Sequence, residues 1–259
     1  MKINFNNTEV NHFFITLIVL TFVFGFNDFS SEFVFSNWLG NLFKIFIIVS
    51  ISLFAHLLGH KLAARNFGVR AEHRIWAIYS FGFRRREQFP LTIRLFRKPL
   101  YKLKSFWAGI IIPLITLLVS NGKMFLPLTE SFETFKEGTK RFGMKFQKLT
   151  EYELAKIAFA GPFANLVLIF LFKMINSNNV FDFPILINAM FAVGHMLPIP
   201  GLDGAKIFFG SKSLFVFTFA FVLFYVLLIF SLSVFGAFLL SVLLSLTTGI
   251  VYYYFRVYK

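Results

Sequence analysis

The sequence predicts an all-α polytopic membrane protein with six transmembrane helices. Of its 259 residues, 57% are hydrophobic and only 15% are charged, and the mean hydropathy is +0.72. These values are typical of chains that cross a bilayer several times, and they argue against a soluble domain with one core. The 41 phenylalanines fit this class as bulky side chains that face lipid.

Six apolar segments are the candidate spans, and a seventh apolar run is too short to cross. The six are residues 12–26, 42–64, 154–174, 183–197, 214–232 and 235–254. Several are short for a hydrocarbon core of ~30 Å, so we expect tilted helices or a locally thinned bilayer. Residues 106–119 contain Pro113 and fall short of the roughly 20 residues that a span needs, which predicts a re-entrant or interfacial segment.

The distribution of charge gives the orientation of these spans. If the six candidate segments cross and residues 106–119 do not, the inner segments are residues 1–11, 65–153, 198–213 and 255–259. The outer connections are residues 27–41, 175–182 and 233–234. The outer connections contain no Lys or Arg, whereas the inner segments carry nearly all of them. By the positive-inside rule, both termini are expected to be cytoplasmic. The first apolar segment lacks a basic leader and a small-residue cleavage site, so we expect it to remain as a span.

The formal net charge of +14 has the same explanation. Basic residues cluster between spans, as in Arg84-Arg85-Arg86 and residues 94–104, where we expect contacts with anionic lipid headgroups and not with nucleic acid. The chain has no cysteine, which excludes disulfides, thiolate metal sites and cysteine nucleophiles.

Local signals mark the elements between the spans. Asn66-Phe67-Gly68 predicts a glycine stop for the helix before it, and Thr150 with Glu153 predicts a capping box that opens a later helix. Residues 69–89 mix polar, aromatic and basic side chains, which predicts a short β-hairpin at the membrane surface. Such a hairpin has two open roles, as an edge for an extended partner strand or as a surface anchor.

Two histidines lie four residues apart inside the second apolar segment. At helical spacing His56 and His60 share one face, one turn apart. Polar groups at membrane depth are costly and usually mark a site, although two packing histidines bonded to neighbouring groups remain the alternative. Ala55, Gly59 and Ala63 form a stripe of small residues that lets another helix approach closely. A close approach is what a metal ligand from a distant helix requires.

Two later motifs also place polar residues in apolar surroundings. In Leu197-Pro-Ile-Pro-Gly-Leu-Asp-Gly204 the prolines and glycines break a regular helix, and such backbone at membrane depth must be buried or line a wet cavity. Two histidines and one carboxylate with an open fourth position make a catalytic zinc site, so Asp203 is the candidate third ligand. An exit turn with an exposed aspartate is the alternative. Ala160-Gly-Pro-Phe-Ala-Asn165 places an asparagine in an apolar helix, where bonding to a neighbouring helix would also explain it.

Together these motifs resemble the site-2 protease family of intramembrane zinc metalloproteases. The resemblance lies in the order His-Leu-Leu-Gly-His, Ala-Gly-Pro-x-x-Asn and Leu-Pro-x-Pro-x-Leu-Asp-Gly, and it covers roughly residues 42–210. It implies a three-helix catalytic core in which His56, His60 and Asp203 bind Zn²⁺ towards the cytoplasmic side. It also implies that Asn165 contacts the substrate backbone or the developing oxyanion, that the substrates are membrane-spanning helices, and that the chain lies in a prokaryotic cell membrane.

This resemblance divides the chain into three parts. Residues 1–41 are expected to form an N-terminal span with its outer loop. Residues 42–210 are expected to form the protease-like core, with a cytoplasmic insert over residues 69–153. Residues 211–259 are expected to form a C-terminal hairpin of two spans.

Two positions depart from the family pattern. Leu57 replaces the general-base glutamate after the first histidine, and Gly194-His195-Met196 lacks the asparagine expected before Leu197. A positioned base contributes roughly 10²–10⁴-fold to the rate, and leucine cannot accept a proton. Glu72 lies past the helix end, so we expect no substitute acid and a chain that binds zinc without cleaving. His195 is interpreted as a packing side chain, a substitute for the asparagine or a spare metal ligand.

Two other functions stay open on the sequence alone. A non-catalytic pseudoprotease would bind or chaperone membrane helices in the same cleft. A metal or proton transporter would pass its cargo through the histidines, although the sequence has no evident inverted repeat and few acids within its spans. The oligomeric state is not predicted.

Overall fold

The computed structural model describes residues 5–27, 32–81, 87–88, 91–95, 98–103, 105–123, 125–136 and 149–258. This part of the chain is mostly helical. Its eight helices are α1 (Asn7–Gly25), α2 (Phe35–Asn66), α3 (Ala108–Val119), α4 (Glu151–Met174), α5 (Asp182–His195), α6 (Asp203–Gly210), α7 (Lys212–Ile229) and α8 (Val234–Tyr258). Its six strands are β1 (Val69–Ile75), β2 (Ser80–Phe81), β3 (Glu87–Gln88), β4 (Leu91–Leu95), β5 (Lys98–Leu103) and β6 (Glu130–Lys136).

Five of the described helices, α1, α2, α4, α7 and α8, are long and apolar enough to cross a membrane. Their number and composition are those of an integral membrane protein. The sixth predicted span coincides with α5, which has 14 residues and so a length of about 21 Å. Because a hydrocarbon core is ~30 Å thick, α5 alone is too short for an ordinary crossing. The apolar run that was expected not to cross contains α3, whose 12 residues include Pro113.

The sequence predicted a β-hairpin over residues 69–89, but β1 has a different partner. It pairs antiparallel with β6, from Val69 opposite Lys136 to Ile75 opposite Glu130. Because β1 is largely buried, its backbone groups need partners along its whole length, and β2 has only two residues to offer. Within the predicted range the antiparallel pair is instead β2 with β3, and β4 pairs with β5. Arg84-Arg85-Arg86 and residues 137–148 lie outside the described part of the chain.

Close helix packing brings α4 against α2. A Cβ atom at Gly59 would overlap the backbone carbonyl of Ala160, so the helices approach at the small-residue stripe.

The predicted capping box opens α4, where Thr150 and Glu153 each bond to the other's backbone N–H. Gly68 follows α2 with φ +67°, a conformation that favours glycine, and it turns the chain into β1.

A buried ion pair attaches α1 to the rest of the core. Lys61 on α2 holds its Nζ 2.8 Å from a carboxylate oxygen of Glu9. The same carboxylate accepts a hydrogen bond from the backbone N–H of His73 at 2.9 Å. Glu9 therefore fixes α1 and β1 together beside α2.

The irregular segment between α5 and α6 is held from the side of the sheet. The indole Nε1 of Trp76 donates to the carbonyl of Pro200 at 2.9 Å. Gly201 has φ +97°, and a Cβ atom there would overlap the Trp76 ring. These contacts fix the point at which α6 begins, and the first residue of α6 is Asp203.

Candidate metal centre

Three side chains from two helices, distant in sequence, meet at one point. The Oδ2 atom of Asp203 lies 3.1 Å from Nε2 of His56 and 3.2 Å from Nε2 of His60. The two Nε2 atoms are 3.0 Å apart. All three side chains are buried, with at most 3% exposure. The structure thus brings together the three residues that the sequence analysis named as candidate ligands.

Hydrogen bonds behind the two rings determine which nitrogen carries the proton. Nδ1 of His60 donates to the carbonyl of Ile157 at 2.8 Å, and a carbonyl can only accept. Nδ1 of His56 donates to Oδ1 of Asn165 at 2.6 Å. The amide of Asn165 cannot be reversed, because its Nδ2 donates to the carbonyl of Ser52 at 3.2 Å. In the neutral rings, both Nε2 atoms therefore carry lone pairs.

These lone pairs point at the carboxylate of Asp203, so three acceptor atoms face one another without a proton to share. Such an arrangement is repulsive unless one ring takes up a second proton or a cation lies among the three atoms. A tetrahedral ion with ligand bonds of about 2.0–2.1 Å holds its ligand atoms about 3.3 Å apart, close to the observed spacing. Gly161 leaves space for the two imidazole rings, since a Cβ atom there would overlap Nε2 of both histidines. Two imidazoles and one carboxylate are a donor set that suits Zn²⁺.

For Asn165 the resemblance implied a contact with substrate, and that role stays a prediction. Its side chain is fully buried. Its oxygen accepts from His56, and its nitrogen donates to the Ser52 carbonyl and, at 2.9 Å, to Oδ1 of Asn188. Because both ends of the amide are engaged, the contact that Asn165 makes is with the back of a candidate ligand.

A carboxylate outside the three sequence motifs also reaches this site. Glu130, the first residue of β6, is 3% exposed, and its Oε1 lies 3.9 Å from Nε2 of His56. The expectation that no other acid lies near the site is therefore wrong. Leu57 is buried as well and places a purely apolar side chain beside His56 on α2.

Glu130 lies among imidazoles. Its Oε2 accepts from Nδ1 of His73 at 3.1 Å, and its Oε1 lies 3.6 Å from Nε2 of His195. Burial raises the pKa of Glu130, but the positive charge that His56 carries when protonated and the hydrogen bond from His73 outweigh this effect and lower the pKa. The hydrogen bond from His73 acts on the carboxylate whether or not His56 is protonated.

His195 lies on the Glu130 side of the site. Its Nδ1 donates to the carbonyl of Phe191 at 2.9 Å, which leaves a lone pair on Nε2. Among the described residues this Nε2 has no hydrogen-bond partner. Two groups of these side chains could hold a metal ion. One is His56, His60 and Asp203, and the other is His56, Glu130 and His195. The structure thus places His195 beside Glu130, with its ring centroid 4.6 Å from that of His56.

A signal for Glu130 is present in the sequence. Leu128, Glu130 and Phe132 alternate with neighbours, which in a strand puts their side chains on one face. A glutamate on the apolar face of a strand needs a partner, since burial of an isolated charge is costly. The ring of Phe132, on the same face, lies 4.3 Å from the ring of His60.

Comparison of the chain with protein-family models, with curated proteins and with solved structures found no significant match. The functional interpretation therefore depends on the motif order and on the geometry of the site. Both concern the same side chains, His56, His60 and Asp203.

Proposed function

We propose that this chain is an intramembrane metalloprotease of the site-2 type, with Zn²⁺ held by His56, His60 and Asp203. One observation carries the proposal: three buried acceptor atoms converge at 3.0–3.2 Å, with the protons of both rings committed elsewhere. The surrounding helices have the length and hydropathy of membrane spans. The proposed substrates are therefore proteins with a helix in the same membrane.

The metal ion and the residues around it would have separate roles in peptide hydrolysis. When bound, the metal ion supplies Lewis acidity, which polarises the scissile carbonyl and lowers the pKa of water. Asn165 and the Ile157 carbonyl hold the two imidazoles in the tautomer that leaves Nε2 free. The irregular segment before Asp203 places the carboxylate against both rings.

Metal content tests the proposal directly. Purified protein should contain about one zinc per chain by elemental analysis, and His56→Ala should lose it because one of three ligands is gone. His12→Ala is the matched control, since His12 accepts from the backbone N–H of Ile75 and belongs to neither group of side chains that could hold a metal ion. Zinc retained in His56→Ala, or absent from the unchanged protein, would refute the metal centre.

Cleavage tests the rest of the proposal. In proteoliposomes with a single-span helical peptide, the protein should produce fragments that are absent with His56→Ala or after chelation. Mass spectrometry of the fragments should place the cut within the span, towards the face on which α6 lies. A zinc-loaded protein that binds such peptides without cleaving any of them would contradict the protease assignment.

A second candidate function is the binding of membrane helices without cleavage. Leu57 favours it, and so does a groove of about 1250 Å³ along α2 and α4. Small residues line much of this groove, including Gly59, Ala63, Ala160 and Ala164. A photo-cross-linker at Phe163, at the groove, that captures an intact single-span peptide would support this alternative.

A further inference from the structure

Glu130 has one oxygen held in place and one oxygen without a hydrogen bond. Oε2 accepts from His73, whose other nitrogen, Nε2, lies 3.3 Å from the hydroxyl of Thr16. Oε1 has no hydrogen-bond partner among the described residues, although it is buried. A buried carboxylate oxygen is costly to leave unpaired, so its orientation calls for a functional explanation.

The unpaired oxygen points towards the candidate ligands. It lies 3.9 Å from Nε2 of His56 and 3.6 Å from Nε2 of His195. Since His56 Nε2 is a candidate ligand atom, Glu130 is close enough for contact with a molecule that occupies an open coordination position. It is also held too far from His56 for a hydrogen bond.

We propose that Glu130 is the general base of this site and takes the role that Leu57 cannot perform. The inference rests on the proposed function, since a base is needed only where hydrolysis takes place. In the family pattern that the motifs resemble, the base directly follows the first histidine on the helix. In this chain the proposed base comes from β6, beside the site.

The proton transfers balance around this one oxygen. As the oxygen of water bonds to the scissile carbonyl carbon, one proton of that water passes to Oε1 of Glu130. When the C–N bond breaks, the same proton passes to the amine nitrogen, and Glu130 is again a carboxylate. The lone pair on Nε2 of His195 offers the protonated carboxyl a hydrogen-bond acceptor in the interval.

The proposal can be tested without knowledge of the natural substrate. Acetohydroxamic acid binds a metal ion through two oxygens and gives up one proton, which a nearby carboxylate can accept. Protein loaded with Co²⁺ should show a visible spectrum that changes as acetohydroxamic acid is added. Glu130→Gln should keep one Co²⁺ per chain and the same starting spectrum, but bind acetohydroxamic acid at least about tenfold more weakly, because a charged hydrogen bond is lost.

Glu133→Gln is the matched control, because Glu133 lies on the same strand with a half-exposed side chain that contacts Arg74. It should bind Co²⁺ and acetohydroxamic acid as the unchanged protein does. If Glu130→Gln is too unstable to purify, Glu130→Asp keeps the charge and shortens the side chain by one methylene. That variant should retain Co²⁺ and bind acetohydroxamic acid with an intermediate affinity.

Three results would overturn the inference, and they are distinguishable. Equal affinity for acetohydroxamic acid in Glu130→Gln and the unchanged protein would show that Glu130 is not the base. The proposed metal centre would be unaffected by that result. Loss of Co²⁺, or an altered starting spectrum, in Glu130→Gln but not in Glu133→Gln would make Glu130 a metal ligand instead. Unchanged protein that takes up neither Co²⁺ nor Zn²⁺ would refute the proposed function itself, and the inference with it.

Discussion

At the scale of single residues, the site is organised by the direction of hydrogen bonds. The Ser52 carbonyl fixes the amide of Asn165, the amide fixes the proton of His56, and this proton leaves the opposite nitrogen free. Nδ2 of Asn188 donates to the Ser52 hydroxyl and to the Pro184 carbonyl, which sets the orientation of the second amide. The bonds from Ser52 through Asn165 to His56 define the lone pair that faces Asp203, and Asn188 supports the amide of Asn165 from the other side.

This arrangement predicts the effect of a change at Asn165. Asn165→Ala should weaken zinc binding by about 10–100-fold, because the ring of His56 loses the acceptor that sets its tautomer and orientation. Competition with a chromogenic chelator measures the affinity. Asn66→Ala, at the exposed end of α2, is the control and should leave the affinity unchanged. Equal affinities in both variants would show that Asn165 has a packing role only.

The sequence indicated some of these residues and not others, for a physical reason. His56 and His60 could be predicted because helical spacing places them on one face. Asp203 could be predicted because prolines and glycines interrupt the apolar segment before it. The alternation around Glu130 marks a glutamate on an apolar face, but its place beside His56 depends on the register of β6 against β1, and no local pattern sets that register across α3.

At the scale of elements, the close approach of α2 and α4 is the contact on which the site depends. Gly59 meets the Ala160 backbone, and Gly161, on the same stretch of α4, lies against both histidine rings. A larger side chain at either position would move α4 away from α2. The stripe of small residues was visible in the sequence, but the helix that occupies it was not.

Gly59→Ala tests this contact. It should destabilise the protein by about 1–3 kcal/mol, since the added methyl group must displace the backbone of α4. Gly40→Ala is a control on the same helix, because nothing lies within 4 Å of a Cβ atom there. That control should be neutral or stabilising by roughly 0.5–1 kcal/mol, as expected for alanine in a helix. Thermal unfolding in detergent measures both, and equal melting temperatures would contradict the close approach.

The fold could be predicted at the level of spans more fully than at the level of strands. Five predicted apolar segments correspond to α1, α2, α4, α7 and α8, because hydropathy over a long window is a strong signal. Strand pairing is weaker in sequence, since β1 could pair with any nearby extended segment. Burial on both faces selected β6, and that choice depends on the whole arrangement around the site.

At the scale of the whole molecule, α5 determines how far the site lies from the membrane face at the start of that helix. The helix is about 21 Å long, yet its last residue, His195, already lies beside Glu130. The segment after it is non-helical and reaches Asp203 at the level of the histidines. A crossing by α5 would therefore bring the outer face of the membrane unusually close to the site, through a locally thinned bilayer.

The absence of cysteine makes the crossing measurable with single introduced thiols. Asn178→Cys lies in the exposed connection between α4 and α5, and Lys212→Cys lies at the exposed start of α7. Since the connection before α5 lacks basic residues and the segment after it carries them, the two thiols should lie on opposite faces. A membrane-impermeant maleimide should label Asn178→Cys in intact cells, and Lys212→Cys only after permeabilisation. Labelling of both thiols from the same side would mean that α5 enters and leaves by one face, and that the positive-inside orientation does not hold for this part of the chain.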